Sequence, residues 1–132
     1  MLLVDSEDAV APAHSAWQHL KSRDNWDRPN GATDGQAFLM VQVMETWFLA
    51  DTALLRSYFG PSFREAHLRA WPALEQVSKA DVVNALEGAT AGCDKRYSKG
   101  KVSYELLARV NPALVEAACP HVQSLLDRLR TL

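Results

Sequence analysis

Asp5-Ser6-Glu7-Asp8 puts three carboxylates into four residues, directly after the apolar run Met1-Leu2-Leu3-Val4. A short buried strand that stops at an acidic turn presents carboxylates to a metal or phosphate in many α/β proteins, because the crevice lies beyond the carboxyl ends of the strands. Such acids repel one another unless a cation, a basic group or bulk water compensates. A second apolar run, Phe38-Leu39-Met40-Val41-Gln42-Val43-Met44, likewise closes on an acid, Glu45. If both runs are strands of one parallel sheet, Asp5, Glu7 and Glu45 share an edge where oxygen ligands can hold a hard cation such as magnesium. These three are the candidate metal-binding and catalytic residues. Two plainer readings compete: a solvated acidic loop after an edge strand, and one buried helix from Gln36 to Tyr58.

The only basic cluster is Asp94-Lys95-Arg96-Tyr97-Ser98-Lys99-Gly100-Lys101. Arg96, Lys99 and Lys101, with Tyr97, can grip a phosphate backbone, the lysines as point charges and the arginine as a fork. An ordinary solvated loop is the alternative. His14, His19, His67 and His121 have no metal-ligand spacing, and no Ser, Cys or His sits in a nucleophile motif. Cys119 before Pro120 reads as core. The four tryptophans read as core anchors rather than base-stacking platforms, since a small domain needs large apolar area.

Length and charge narrow the function classes. The 132 residues fit one domain, 1–132, and the formal charge of −2 provides no global attraction to nucleic acid or an anionic membrane. Cys93 and Cys119 lie far apart, with no Cys or His at zinc-finger spacing, which favours a reducing compartment. No uncharged apolar stretch is long enough to span a bilayer, and Met1 to Asp5 lacks the basic region and length of a signal peptide. A cytoplasmic location is the expectation.

The elements that must position these residues follow from periodicity. Leu2 to Val4 and Leu39 to Met44 are expected as parallel neighbouring strands, joined by a helical crossover within Pro12 to Arg23. Thr46 is expected to cap a helix carrying Trp47, Leu54, Leu55 and Tyr58. Phe63 to Ala70 suggests a short helical piece that Trp71-Pro72 interrupts. Ser78 is an N-cap with Asp81 at the third helical position, Ser103 to Val110 has helical spacing, and Asn111-Pro112 is an N-cap with proline at the first position. His121 to Leu132 closes the chain as an amphipathic helix. Residues 1–60 thus form an α/β part and 61–132 a helical part. Two strands make a marginal sheet, so either the domain is helical throughout or the chain is the carboxyl part of a larger α/β unit whose neighbouring strands lie upstream.

These residues resemble the domain-of-unknown-function family 4276, which looks related to Toprim domains. The resemblance rests on Leu2-Leu3-Val4-Asp5-Ser6-Glu7-Asp8, Trp17-Gln18-His19-Leu20, the run Met40 to Asp51, Lys79-Ala80-Asp81-Val82 and Tyr97-Ser98-Lys99-Gly100. It implies Toprim-like parallel strands with flanking helices, followed by a mostly helical carboxyl-terminal half. Toprim domains use a glutamate after a first strand and a D-x-D pair after a later strand to hold magnesium for cutting, joining or priming nucleic acid. Asp5 and Glu7 fall on that pair, with glutamate in place of the second aspartate. The resemblance further implies an additional amino-terminal half carrying the glutamate, so this chain would correspond to the carboxyl-terminal part of its relatives. It also suggests an ATPase encoded alongside, in a defence locus.

Two functions are therefore expected to compete. One is a magnesium-dependent, Toprim-like nuclease, or its carboxyl-terminal portion, acting on nucleic acid. The other is a non-catalytic subunit that binds a partner such as an ATPase through a degenerate acidic site. The shortage of strands leads to the expectation of a homo-oligomer or hetero-complex.

Overall fold

The computed structural model describes residues 1–132. Strand β1 (Leu2–Asp5) and strand β2 (Ala37–Met40) pair in parallel, with Leu2 opposite Ala37 and Asp5 opposite Met40. Helix α1 (Ala16–Asp24) lies between them in sequence and packs on β2, as a parallel pair requires. Its start is a capping box. Ser15 Oγ accepts from the Gln18 N–H at 3.2 Å, and Gln18 Oε1 accepts from the Ser15 N–H at 2.7 Å. Trp17, Leu20, Ala37, Leu39 and Val41 form a small core beneath the sheet, with Leu2 and Val4 against it.

The second strand is shorter than expected. β2 ends at Met40, opposite the end of β1 at Asp5, and Val41, Gln42 and Val43 continue as buried irregular chain rather than as strand. The next segment is not an α-helix capped by Thr46. Met44–Ala50 runs as consecutive 3-10 turns, and helix α2 (Thr52–Phe59) begins afterwards, capped by Asp51, whose Oδ1 accepts from the Leu54 N–H at 3.2 Å. The competing reading of one continuous helix from Gln36 to Tyr58 is excluded by the strand and by this break.

Phe63 to Ala70 contains one 3-10 turn, Glu65–Leu68, and a second, Leu74–Gln76, precedes helix α3 (Lys79–Thr90). Ser78 caps α3 as expected. The Glu65–Leu68 turn lies so close to α3 that a Cβ at Gly88 would meet His67 Nδ1 at 2.8 Å. Helices α4 (Lys101–Arg109), α5 (Pro112–Ala118) and α6 (Pro120–Arg130) complete the chain, with Asn111 and Pro112 starting α5 as read from sequence. The main core gathers Val43, Phe48, Leu55, Phe59, Val82, Leu86 and Leu106 around the 3-10 segment. A smaller cluster of Val115, Cys119 and Val122 packs on Trp47. Burial pushes the Cys119 thiol up to about 12, which fits a core residue rather than a nucleophile.

The two-strand sheet is thus sustained by helices rather than by further strands, with α1 and α6 both packed on β2. No helix is long and apolar enough to cross a membrane.

Candidate functional site

Beyond the carboxyl ends of β1 and β2 lies an open cleft of about 430 Å³. Asp5, Glu7 and Glu45 all line it, together with Arg23, Lys99 and the first turn of α4. The backbone explains how these distant positions meet. After β1, the Ser6 N–H donates to Met40 O at 2.9 Å and the Glu7 N–H to Gln42 O at 2.7 Å, so the acidic turn follows the β2 chain past the sheet. Ser6 is fully buried, and its carbonyl accepts from His19 Nε2 at 2.8 Å, which fixes the tautomer of that buried imidazole with the proton on Nε2. Through this bond His19 braces the turn.

The three acids have different environments. Asp5 is half-buried, and its Oδ1 accepts from the Met44 N–H at 2.9 Å. Burial holds its carboxyl above the usual range; the Met44 hydrogen bond opposes this, while Glu45 and Glu7 add to it by repulsion. Glu45 is 3 % exposed, with Lys99 Nζ 4.0 Å from its Oε2. Glu7 adopts a left-handed backbone conformation, φ 66°, and pairs with Lys79 at the start of α3. That pair draws Glu7 toward a neighbouring hollow lined also by Asp8 and Asn84. No three His, Cys, Asp or Glu side chains stand close enough together to hold a metal ion among themselves. Asp5 and Glu45 remain as an acid pair at the cleft floor.

The basic residues sort differently from their sequence cluster. Lys99 lines the cleft; Arg96 and Lys101 are exposed and do not line it. Tyr97 is buried in the main core, so it cannot grip a phosphate backbone. Arg23 reaches the cleft from the end of α1, its Nη1 donating to Asp5 O at 2.6 Å while its guanidinium pairs with Asp24. The sequence marks Arg23 only as the end of the crossover helix, with no sign that it borders the acids. Gly100, at φ 104° and ψ −124°, turns the chain into α4 where a side chain would be strained, and Ser103 Oγ accepts its N–H at 3.0 Å.

Tyr97 was also missed as a neighbour of the site. Its hydroxyl is buried without a hydrogen-bond partner and faces the Glu45 carboxylate; burial first, then Glu45, push its ionisation well above the ordinary phenol range. The phenol thus lies beside Glu45 on the core side of the acid pair.

The sequence profile of the family described as domain of unknown function (DUF4276) matches residues 1–130. The chain belongs to this family. The match covers nearly all of this DUF4276 chain, which corrects the expectation of a resemblance confined to the carboxyl-terminal part of the family. No curated protein and no solved structure shows a significant match.

Proposed function

We propose that the cleft is the site of a metal-dependent phosphodiester hydrolase acting on nucleic acid. The observation that carries this reading is the juxtaposition of an acid pair and two basic side chains in one cleft. Buried Glu45 and half-buried Asp5 form the acid pair, and Arg23, Lys99 and the amino-terminal turn of α4 stand around it. Magnesium is typically held by one or two carboxylates, with waters and substrate phosphates completing its octahedron, so an acid pair suits it better than a closed protein cage. Asp5 and Glu45 would hold the ion, with Glu7 at the rim. The raised ionisation of Asp5 supports this fit, because a cation at the pair relieves the repulsion that helps raise it.

When bound, such an ion supplies Lewis acidity toward a phosphoryl oxygen and a more acidic water. The chain's own residues have narrower tasks. The Met44 N–H orients Asp5, and Tyr97 faces Glu45 from the core. Lys99 and Arg23 offset phosphate charge, and the open N–H groups at the start of α4 favour an anion there. Incubating the chain with labelled single-stranded and duplex DNA and RNA in magnesium or manganese tests the reading. Cleavage lost in both Asp5→Asn and Glu45→Gln supports it; cleavage unchanged in those variants, or none by the parent, removes it.

A second reading, a partner-binding subunit, is favoured by one observation. The sheet has only two strands, so both of its edges lack a strand neighbour, and Leu3 on β1 is 40 % exposed. Strand addition by a second chain would complete it. Sedimentation that finds a monomer at high concentration counts against self-association.

A further inference from the structure

Trp26 and Tyr104 line the acid cleft with their rings open to water, 45 % and 68 % exposed. The other tryptophans behave as core anchors: Trp17 is buried under the sheet, Trp47 packs on the α5–α6 cluster, and Trp71 lies against the main core. Trp26 alone departs from that pattern. It follows Asn25, whose left-handed conformation ends α1, and so sits three positions after Arg23 in the chain. Tyr104 lies in the first turn of α4, five positions after Lys99. Each cation of the cleft therefore has an exposed aromatic ring carried on the same short stretch of chain.

Trp26 also borders two further hollows, of about 340 and 700 Å³. One of them contains Lys21 and Arg28, each paired with a nearby aspartate. A ring shared by three hollows suits a ligand that runs past it, longer than one nucleotide.

We propose that the substrate of this cleft is a single-stranded nucleic acid, with phosphates against Arg23 and Lys99 and bases stacked on Trp26 and Tyr104. The inference rests on the phosphodiesterase reading and sharpens its substrate class. Stacking on exposed rings is sequence-tolerant, since every base has a π face, and is denied to a duplex whose bases are already stacked and paired. Phosphate contacts alone would not distinguish the two forms.

The test uses the full chain with calcium in place of magnesium, which separates binding from turnover. Fluorescence anisotropy reads a labelled oligo-dT of about 20 nucleotides, longer than typical single-strand site sizes, against a duplex of equal length, with thymidine monophosphate as competitor. Oligo-dT is expected to bind at least about tenfold more tightly than the duplex, and Trp26→Ala and Tyr104→Ala are each expected to weaken it about tenfold, the scale of one lost stacking contact. Trp26→Phe should retain most of the affinity. Both positions are exposed, so a matching thermal melt shows that each variant is folded. Equal binding of duplex, alanine variants that bind like the parent, or full competition by the monophosphate would each overturn the inference and leave the phosphodiesterase reading in place. If the parent binds no nucleic acid at all, both fall together.

Discussion

Asp5 Oδ1 accepts the backbone N–H of Met44 at 2.9 Å, which ties the acid closing β1 to the residue just before Glu45. With the Ser6 and Glu7 backbone bonds, this contact holds together two acids that lie 40 positions apart in sequence. The bond favours the charged form of Asp5, while burial and the neighbouring acids disfavour it, and the balance leaves the carboxyl above its ordinary range. Under the proposed function, a cation at the pair would relieve that repulsion.

Magnesium or manganese should therefore stabilise the folded chain. At a hundredfold excess over the dissociation constant the gain is about 2.7 kcal/mol, a rise of several degrees in Tm. Asp5→Asn keeps an oxygen that can accept the Met44 N–H but removes the charge, so it should lose most of the rise with little change in the metal-free Tm. Lys99→Ala should retain the rise. Scanning fluorimetry reads all three, and an Asp5→Asn variant that responds like the parent would mark the acids as a solvated rim.

The strand pair, its parallel direction and the crossover helix were legible in the sequence because apolar runs closed by acids leave few other arrangements. The end of the second strand was not. Val41 and Val43 are as apolar as strand residues, yet one is buried under the sheet and the other in the main core. Hydrophobicity reports burial, and burial here continues past the last paired residue. The cap was misassigned for a related reason. Thr46 does receive a backbone N–H, that of Val43 at 3.4 Å, but it serves the 3-10 segment, whose seven residues exceed the usual length of such runs. Glu7 and Glu45 could be placed at one cleft from spacing alone; Arg23 and Trp26 could not, because their nearness to the acids depends on where α1 lies against β1.

Asp51, the actual cap of α2, is a stability hub. Its Oδ1 accepts from Leu54 N and its Oδ2 from Asn111 N at 3.0 Å, joining α2 to the start of α5. Asp51→Ala should cost about 2 kcal/mol, the upper end of a cap loss, since a second N–H is orphaned as well. Asp51→Asn keeps one acceptor oxygen and should cost about half as much. Urea denaturation measures both, and a loss below about 0.5 kcal/mol for the alanine variant would contradict the double role.

Stability should also carry a pH signature from α6. His121 at its first turn donates from Nδ1 to the buried Glu75 at 2.9 Å, and this carboxylate holds the imidazole above its usual 6.5 despite an opposing effect of burial. A group whose ionisation is raised by folding contributes stability fully below its unfolded value, and that contribution is lost as pH rises through the folded value. The parent should therefore lose stability between 6.5 and the raised value. Glu75→Gln should flatten that slope and return the His121 titration, followed by NMR, toward 6.5. A titration of His121 unmoved in this variant would break the assignment.

Tyr97 offers the sharpest separation of structure from site. Its ring fills the main core while its hydroxyl is buried without a partner, so the fold bears a desolvation cost for that oxygen with no hydrogen bond in return. Tyr97→Phe keeps the ring and removes the cost. The variant should be at least as stable as the parent, with a gain of up to about 1 kcal/mol, because removal of an unsatisfied buried polar group is not penalised by a lost partner. Under the phosphodiesterase reading the same variant loses the hydroxyl beside Glu45, so metal-dependent cleavage should fall while the melt holds or improves. A stability loss above about 1 kcal/mol would show instead that the hydroxyl is bonded in solution and serves the fold. Full cleavage activity in a stable variant would show that Glu45 does not need the hydroxyl.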